Sequence, residues 1–70
     1  MNHLSQAPVS IGVGKAIKAT DKAVLCETKE HAELWIPKSQ IHDDSEVWEE
    51  GHEGKIVVKM WWARKEGLLG

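Results

Sequence analysis

Hydrophobic and polar residues alternate along several stretches of this chain, and this period of two predicts β-strands. The first strand is expected at 9–19, with a bend near Gly12 and Gly14, because glycine permits a β-bulge. A turn at 20–22 then leads into a returning strand at 23–27, in which valine and cysteine share one face. These two strands are predicted to form an antiparallel hairpin.

A third strand is predicted at 32–36, after a second turn. Its alternation places Leu34 and Ile36 on the face expected to contact the core, so Trp35 is predicted to face outward. Pro37 is expected to end the strand, because proline has no amide hydrogen for the ladder.

The second half of the chain has a more mixed pattern. Residues 38–41 suit a single tight helical turn, in which Ile41 folds back into the core. A short edge strand is expected at 46–48, a loop at 50–54 and a final strand at 55–60. The residues of the final strand expected to face inward are Ile56, Val58 and Met60, and those expected to face outward are Val57 and Lys59.

From Trp61 onward the pattern predicts a helix of one or two turns that ends at Gly67. Four or five short strands followed by a brief helix predict a mainly β fold, in the form of a small SH3-like or OB-like barrel. Residues 1–8 show no such period and are expected to be a flexible arm, so the predicted domain covers 9–70.

The length of 70 residues allows one domain and little room for a deep catalytic cleft, so no enzyme activity or catalytic residue is predicted. Cys26 is the only cysteine, and the chain therefore forms neither an internal disulfide nor a paired-cysteine zinc site. Because neighbouring residues on a polar loop seldom converge on one ion and no cysteine lies nearby, no metal is expected at His42, Asp43, Asp44 and His52, and no other cofactor is predicted. Small domains without cross-links often gain stability by self-association, which favours a homo-oligomer.

The formal net charge of −2 argues against binding of duplex DNA, which usually requires a markedly basic domain. Acidic side chains cluster at 43–53, where no lysine or arginine occurs. No apolar run approaches the roughly 18–20 residues of a membrane span, and the first eight residues lack the basic start and apolar core of a signal peptide. We therefore expect a soluble intracellular protein that does not bind membranes.

Every aromatic residue of the chain is a tryptophan, at positions 35, 48, 61 and 62. Aliphatic residues can fill so small a core, which suggests that at least one indole lies on a surface used for stacking or docking. Alternatively, Trp35 and Trp62 simply cover a thin core.

Three segments of the chain resemble a family of short proteins encoded by phages and prophages: ATDKAVL at 19–25, WIPKSQI at 35–41 and WWARKEGL at 61–68. Small viral proteins of this kind include inhibitors of bacterial immunity, and some bind cyclic nucleotide signals without cleaving them. The resemblance implies a non-enzymatic counter-defence protein in the cytoplasm of an infected bacterial cell. Its ligand would be a small nucleotide such as a cyclic oligonucleotide.

A cyclic dinucleotide presents base faces, phosphates and base edges, and each requires a different kind of partner. Indoles stack on bases, cationic groups bind phosphates, and hydroxyl or amide groups bind base edges. The candidates of these three kinds are, respectively, Trp35, Trp48 and Trp61; Lys38, Lys59 and Arg64; and Ser39 and Gln40. Trp35 is the leading candidate for stacking. A domain of this size would enclose such a ligand poorly, so a pocket shared between subunits is expected.

Two other functions remain open from the sequence. A single-stranded nucleic-acid binder would use the indoles to stack on successive bases, although the negative net charge counts against it. An inhibitor that docks on a host protein would use the acidic segment at 43–53 to mimic phosphates.

Overall fold

The structure is a computed structural model that describes residues 7–69. Within that range it contains, in chain order, β1 (Pro8–Ala19), β2 (Ala23–Thr28), β3 (Ala32–Pro37), a 3-10 turn (Lys38–Gln40), β4 (Glu53–Lys59) and α1 (Met60–Lys65). All strand pairs are antiparallel, and the strand order is β3-β2-β1-β4. The prediction of a mainly β fold with four or five strands and a short C-terminal helix is confirmed, since four strands form one antiparallel sheet that α1 follows.

The predicted N-terminal arm falls mostly on residues 1–6, which lie outside the described residues. Pro8, assigned to that arm by the sequence, is instead the first residue of β1 and pairs with Lys59. A proline is tolerated at the first position of a strand, where the ladder does not require its missing amide hydrogen. The first strand therefore begins one residue earlier than predicted.

The long strand β1 bends where its glycines predict a bend. Its register with β4 shifts between Ser10 and Val13, and Gly12 lies at this shift with a φ of +111°. A second shift, in the register with β2, falls between Ala16 and Lys18. Because glycine adopts a positive φ at little steric cost, Gly12 allows the bulge that redirects the strand.

One face of the sheet packs into a single apolar core together with α1. Val24 and Cys26 of β2 lie in it, as their alternation predicts, and α1 contributes Trp62 and Ala63. The remaining buried members are Ile11, Ala16, Ile36, Ile41, Val47, Ile56 and Val58. Since α1 contacts both β1 and β4, the helix is fixed to the middle and one side of the sheet.

The tight turn predicted after Pro37 is confirmed. Residues 38–40 form a single 3-10 turn, and the Ile41 amide donates to the Lys38 carbonyl at 3.2 Å. Ile41 is buried, and it forms an isolated antiparallel bridge with Val58 of β4. The turn therefore carries the chain from β3 to the outer edge of β4.

The edge strand predicted at 46–48 is wrong. The Glu46 amide does donate to the Lys55 carbonyl of β4 at 2.9 Å. However, the amides of Trp48 and Glu49 donate to the ring nitrogen Nδ1 of His52, both at 3.1 Å, rather than to a neighbouring strand. A side chain thus takes the place of a ladder partner, and the segment forms a loop.

Two further expectations for the final strand are corrected. The strand begins at Glu53 and ends at Lys59, so Met60 opens α1 instead of facing inward from β4. Val57, predicted to face outward, is only 4 % exposed. The loop after Ile41 runs along the edge of β4, where the His42 amide donates to the Val57 carbonyl at 2.9 Å and the Val57 amide donates to the Ser45 hydroxyl at 3.1 Å.

The end of α1 agrees with the prediction that Gly67 terminates the helix. The Gly67 amide donates to the Arg64 carbonyl at 3.2 Å, and the Leu68 amide donates to the Ala63 carbonyl at 2.8 Å. This pair of hydrogen bonds is the Schellman motif, and Gly67 has the positive φ of +74° that the motif requires. Among the described residues, no helix has the length and apolar character needed to cross a membrane.

Candidate functional site

A pocket of about 460 Å³ opens beside the 3-10 turn, where the loop after Ile41 meets the end of β4. Four of the eight predicted ligand-binding residues line it: Lys38, Ser39, Trp48 and Lys59. The other lining residues are Ile41, His42 and Asp43. The fold therefore brings together cationic, hydroxyl and aromatic groups from three separate parts of the chain.

Lys38 reaches the pocket from the start of the 3-10 turn. Its amide donates to the Lys22 carbonyl at 2.8 Å, which anchors the turn to the start of β2. Its ammonium nitrogen Nζ lies 3.1 Å from Oε2 and 3.4 Å from Oε1 of Glu49. The Lys38 ammonium is thus already paired with the Glu49 carboxylate of the same chain, and the pair is partly exposed to solvent.

Trp48 supplies the aromatic surface of the pocket. Its indole nitrogen Nε1 donates to the Ser45 carbonyl at 2.9 Å, and its ring packs partly against the core. Because the indole has a single polar hydrogen, this bond leaves Trp48 with only apolar ring surface to offer a ligand. That surface is suited to stacking.

Lys59 supplies a cationic group to the pocket, at the point where β4 ends and α1 begins. Its backbone is extended, with φ −71° and ψ 137°, because it precedes the first turn of the helix. The side chain is half-buried and lines the pocket. Its position is therefore set by the junction of strand and helix.

Ser45 is a residue whose role the sequence does not reveal. It is 7 % exposed, and its hydroxyl oxygen accepts hydrogen bonds from the amides of Val47 at 3.3 Å and Val57 at 3.1 Å. The hydroxyl also lies 3.4 Å from the carbonyl oxygens of Val47 and Lys55. Ser45 thereby fixes the pocket loop to β4, yet in the sequence it is one polar residue within an acidic run.

Two histidines hold the pocket loop in shape through their Nδ1 atoms. His52 accepts the amides of Trp48 and Glu49, and His42 accepts the amide of Asp44 at 3.1 Å. Within residues 7–69, no group of three or more His, Cys, Asp and Glu side chains is arranged to hold a metal ion.

The remaining predicted site residues lie elsewhere. Trp35 is 47 % exposed on the outer face of β3, which confirms that it faces away from the core, and it is not among the pocket-lining residues. Gln40 follows Ser39 in the 3-10 turn and donates from Nε2 to the Ser39 hydroxyl at 3.1 Å. Trp61 and Arg64 lie on the exposed side of α1. The predicted set is thus divided among the pocket, the 3-10 turn, the outer sheet face and the helix.

The acidic segment at 43–53 is partly committed to the fold. Glu46 Oε1 accepts the Lys55 amide at 2.7 Å, and Glu49 pairs with Lys38. These two carboxylates hold the pocket loop against β4 and the 3-10 turn. Part of the acidic segment therefore has a structural role, which is to hold the pocket loop in place.

Cys26 belongs to the apolar core. The residue is fully buried in β2, and this burial raises the pKa of its thiol above the usual range. Because the thiolate is the reactive form, a buried thiol with a raised pKa is a poor nucleophile at neutral pH.

Comparison with known proteins adds no relative to this picture. A scan against protein-family models, a search of curated proteins and a search of solved structures each find no match to the chain. The resemblance of the three motifs to phage proteins stays a prediction, and the geometry of the pocket carries the functional argument.

Proposed function

We propose that this protein binds a small phosphate-bearing nucleotide in the pocket and sequesters it without chemical change. The observation that supports this proposal is the convergence of Lys38, Ser39, Trp48 and Lys59 on one pocket. Its volume of about 460 Å³ falls within the usual range for small-molecule sites, roughly 300–1,000 Å³.

The lining groups match the parts of a nucleotide. A base stacked on the ring of Trp48 would gain about 1–3 kcal/mol, and two ammonium groups, from Lys38 and Lys59, would bind phosphate. Ser39 and Asp43 offer a hydroxyl and a carboxylate to the base edge or the sugar. In this proposal the base therefore stacks on Trp48, and the outward-facing Trp35 does not contact the nucleotide.

The cyclic form of the nucleotide and the counter-defence role in an infected bacterial cell are the parts of the proposal that rest on the motif resemblance. A signal molecule is removed most simply by a protein that binds it tightly and does not release a product. The chemistry of the pocket is compatible with this role, because the proposed contacts are stacking, ion pairing and hydrogen bonding.

The test is a titration of the purified protein with cyclic di- and trinucleotides, mononucleotides and short single-stranded nucleic acids. Binding is monitored by tryptophan fluorescence and by thermal shift. We expect saturable binding of one small nucleotide, which is recovered intact after the protein is denatured. Recovery of a cleaved product would contradict sequestration. Binding of single strands alone, with steep salt dependence, would indicate the nucleic-acid-binding function, and no response would favour docking on a host protein.

Lys59→Gln is expected to weaken binding of the responding nucleotide about tenfold to a hundredfold, because a charge-assisted hydrogen bond contributes about 1.5–3 kcal/mol. The measurement is the dissociation constant by fluorescence titration at fixed salt. The matched control is Lys55→Gln, which removes an exposed lysine of the same strand that does not line the pocket. Equal losses in the two variants would show that binding follows net charge and not the pocket.

Glu49→Gln is expected to strengthen binding of the same nucleotide severalfold, because the Glu49 carboxylate occupies the Lys38 ammonium that a phosphate would contact. Stability should change little, since a partly exposed ion pair contributes at most about 1 kcal/mol. Glu50→Gln removes a neighbouring exposed carboxylate and serves as the control for the loss of one negative charge. Affinity that is unchanged or weaker in Glu49→Gln would contradict the assignment of Lys38 to phosphate.

A further inference from the structure

We infer that a second copy of this chain pairs with the open edge of β3, antiparallel and about a two-fold axis at Trp35, so that the two four-stranded sheets join into one. This inference concerns the edge of β3, which ends beside the nucleotide pocket, and it does not depend on the proposed ligand. It follows from the difference between the two edges of the sheet, from the backbone direction of β3 and from the side chains along it.

Within residues 7–69, one edge of the sheet is covered and the other is open. At the β4 edge, Ile41 bridges Val58 and the His42 amide donates to the Val57 carbonyl at 2.9 Å. At the opposite edge, β3 is the last strand of the order, and none of the described residues pairs with its outer side. An uncovered edge is a template for another strand.

The backbone of β3 directs regularly spaced polar groups to this open edge. The Lys38 amide donates to the Lys22 carbonyl at 2.8 Å, which continues the ladder between β2 and β3 by one pair. Since hydrogen-bonded pairs alternate in an antiparallel ladder, Ile36 and every second residue before it bond to β2. The amide and carbonyl groups of Glu33 and Trp35 therefore point to the open edge, where a second strand can accept and donate.

The edge carries one charged residue, Glu33, and one proline, Pro37, but it has no β-bulge. Six consecutive residue pairs join β2 and β3 without a register shift, so no bulge twists the edge away. The strand sequence, Ala-Glu-Leu-Trp-Ile-Pro, carries one charged side chain and no lysine. Trp35 is 47 % exposed on its outer face, and Leu34 is half-buried on the core face. Pairing would thus bury apolar surface on both faces of the joined sheet.

The side chains favour one two-fold register. With Trp35 opposite Trp35 of the second copy, the two indoles meet across the axis, and Glu33 lies opposite Pro37. Pro37 lacks an amide hydrogen, but its carbonyl can accept the Glu33 amide. The alternative register, with Glu33 opposite Trp35, would set a carboxylate against each exposed indole.

Charge complementarity supports the same register. A shallow pocket at the end of β3 is lined by Asp21, Lys22, Pro37, Lys38 and Ser39. Of its two lysines, Lys38 pairs with Glu49, whereas Lys22 makes no ion pair among the described residues and can contact a negative side chain. In the favoured register, Glu33 of the second copy lies beside this pocket, and the same contact occurs twice because the axis is two-fold.

The test uses opposite charges at the axis. In sedimentation measurements, the wild-type chain is expected to have the mass of a dimer. W35K and W35E alone should each have the mass of a monomer, because two like charges would meet at the axis. An equal mixture of W35K and W35E should recover the dimer mass, with one chain of each kind in native mass spectrometry. The matched control is W61K, which places the same charge on the other exposed indole and should remain dimeric.

Several results would overturn the inference. These are a wild-type chain that stays monomeric over the concentrations at which the fluorescence titration is done, a W61K variant that dissociates equally, and a mixture that stays monomeric. A W35K variant that remains dimeric would also overturn it, because the two-fold axis would then not lie at Trp35. Should a charged variant fail to fold, Glu33→Pro removes an amide that points to the open edge, is tolerated at an edge strand, and must give a monomer with native circular dichroism.

Discussion

Replacing Trp62 with alanine is expected to lower the free energy of unfolding by about 3–5 kcal/mol, as is usual when a buried aromatic side chain is truncated. Trp62 is 5 % exposed and belongs to the apolar core, where it joins α1 to the sheet. Natural domains have only about 5–15 kcal/mol of stability, so this variant should be substantially destabilised or unfolded at room temperature.

The matched control for Trp62→Ala is the adjacent Trp61→Ala. Trp61 is 37 % exposed and contacts solvent and the Lys65 ammonium, which lies 5.8 Å from its ring centroid. Its loss should cost no more than about 1 kcal/mol. Urea unfolding followed by far-ultraviolet circular dichroism, at one protein concentration for all variants, measures both values. Similar losses would mean that the two indoles contribute equally to the fold, contrary to their burial.

Ser45→Ala is expected to destabilise the fold by about 2–3 kcal/mol, although it removes one oxygen atom. The Ser45 hydroxyl accepts hydrogen bonds from the buried amides of Val47 and Val57. The substitution removes this acceptor and leaves both amides without it. A buried unsatisfied donor costs about 1–3 kcal/mol. The cost should appear both in the free energy of unfolding and as faster hydrogen exchange at the Val57 amide, which reports on the contact between the loop and β4.

Ser39→Ala provides the comparison for Ser45→Ala, because Ser39 is an exposed serine in the neighbouring turn. Its substitution should change stability by less than about 0.5 kcal/mol. If Ser45→Ala also changed stability this little, with unaltered exchange at Val57, the hydroxyl would not be what fixes the loop. Loss of loop order in Ser45→Ala should in addition weaken nucleotide binding, because Trp48 is carried by that loop.

The four tryptophans have different structural environments, which explains how a chain without phenylalanine or tyrosine can form a core and still expose aromatic surface. Trp62 of α1 is buried in the core, and Trp48 is half-buried, with its Nε1 donating to the Ser45 carbonyl. Trp35 and Trp61 are exposed on separate elements. The suggestion that Trp35 and Trp62 both cover the core therefore holds for Trp62 alone.

The pocket and the open edge of β3 are neighbouring features, since Lys38 follows the last residue of the strand and also lines the pocket. Dimerisation through β3 would place Glu33 of the second copy near this end of the strand. The sequence predicts a pocket shared between subunits. This can be examined by comparing the nucleotide affinity of W35K with that of the wild-type protein.

Several elements could be predicted from local sequence because local geometry determines them. The period of two in β2 and β3 places Val24 and Cys26 inside and Trp35 outside, since alternate side chains of a strand point to opposite faces. Pro37 ends β3 because proline restricts the backbone and lacks a donor, and Gly67 ends α1 because glycine adopts a positive φ. Each of these outcomes depends on a few adjacent residues.

The position of the loop at 42–52 depended on the tertiary structure. The hydrophobic pattern suggests a strand around Val47 and an outward Val57, but it does not show that Ser45 and His52 satisfy the amides of this region through their side chains. Polar residues within an acidic run carry no sign of such partners. The strand and exposure predictions therefore failed at the same place in the fold.

For the candidate site, the sequence by itself determined which residue types are present and that Trp35 lies on an outer face, because side-chain chemistry and strand alternation are local properties. Only the tertiary structure decided that Lys38, Ser39, Trp48 and Lys59 meet in one pocket while Trp35, Trp61 and Arg64 do not line it. The reason is that the pocket is formed where a turn, a loop and a strand end come together. Their relative position is set by long-range packing of Ile41 and Val47 into the core, which a period along the chain does not encode.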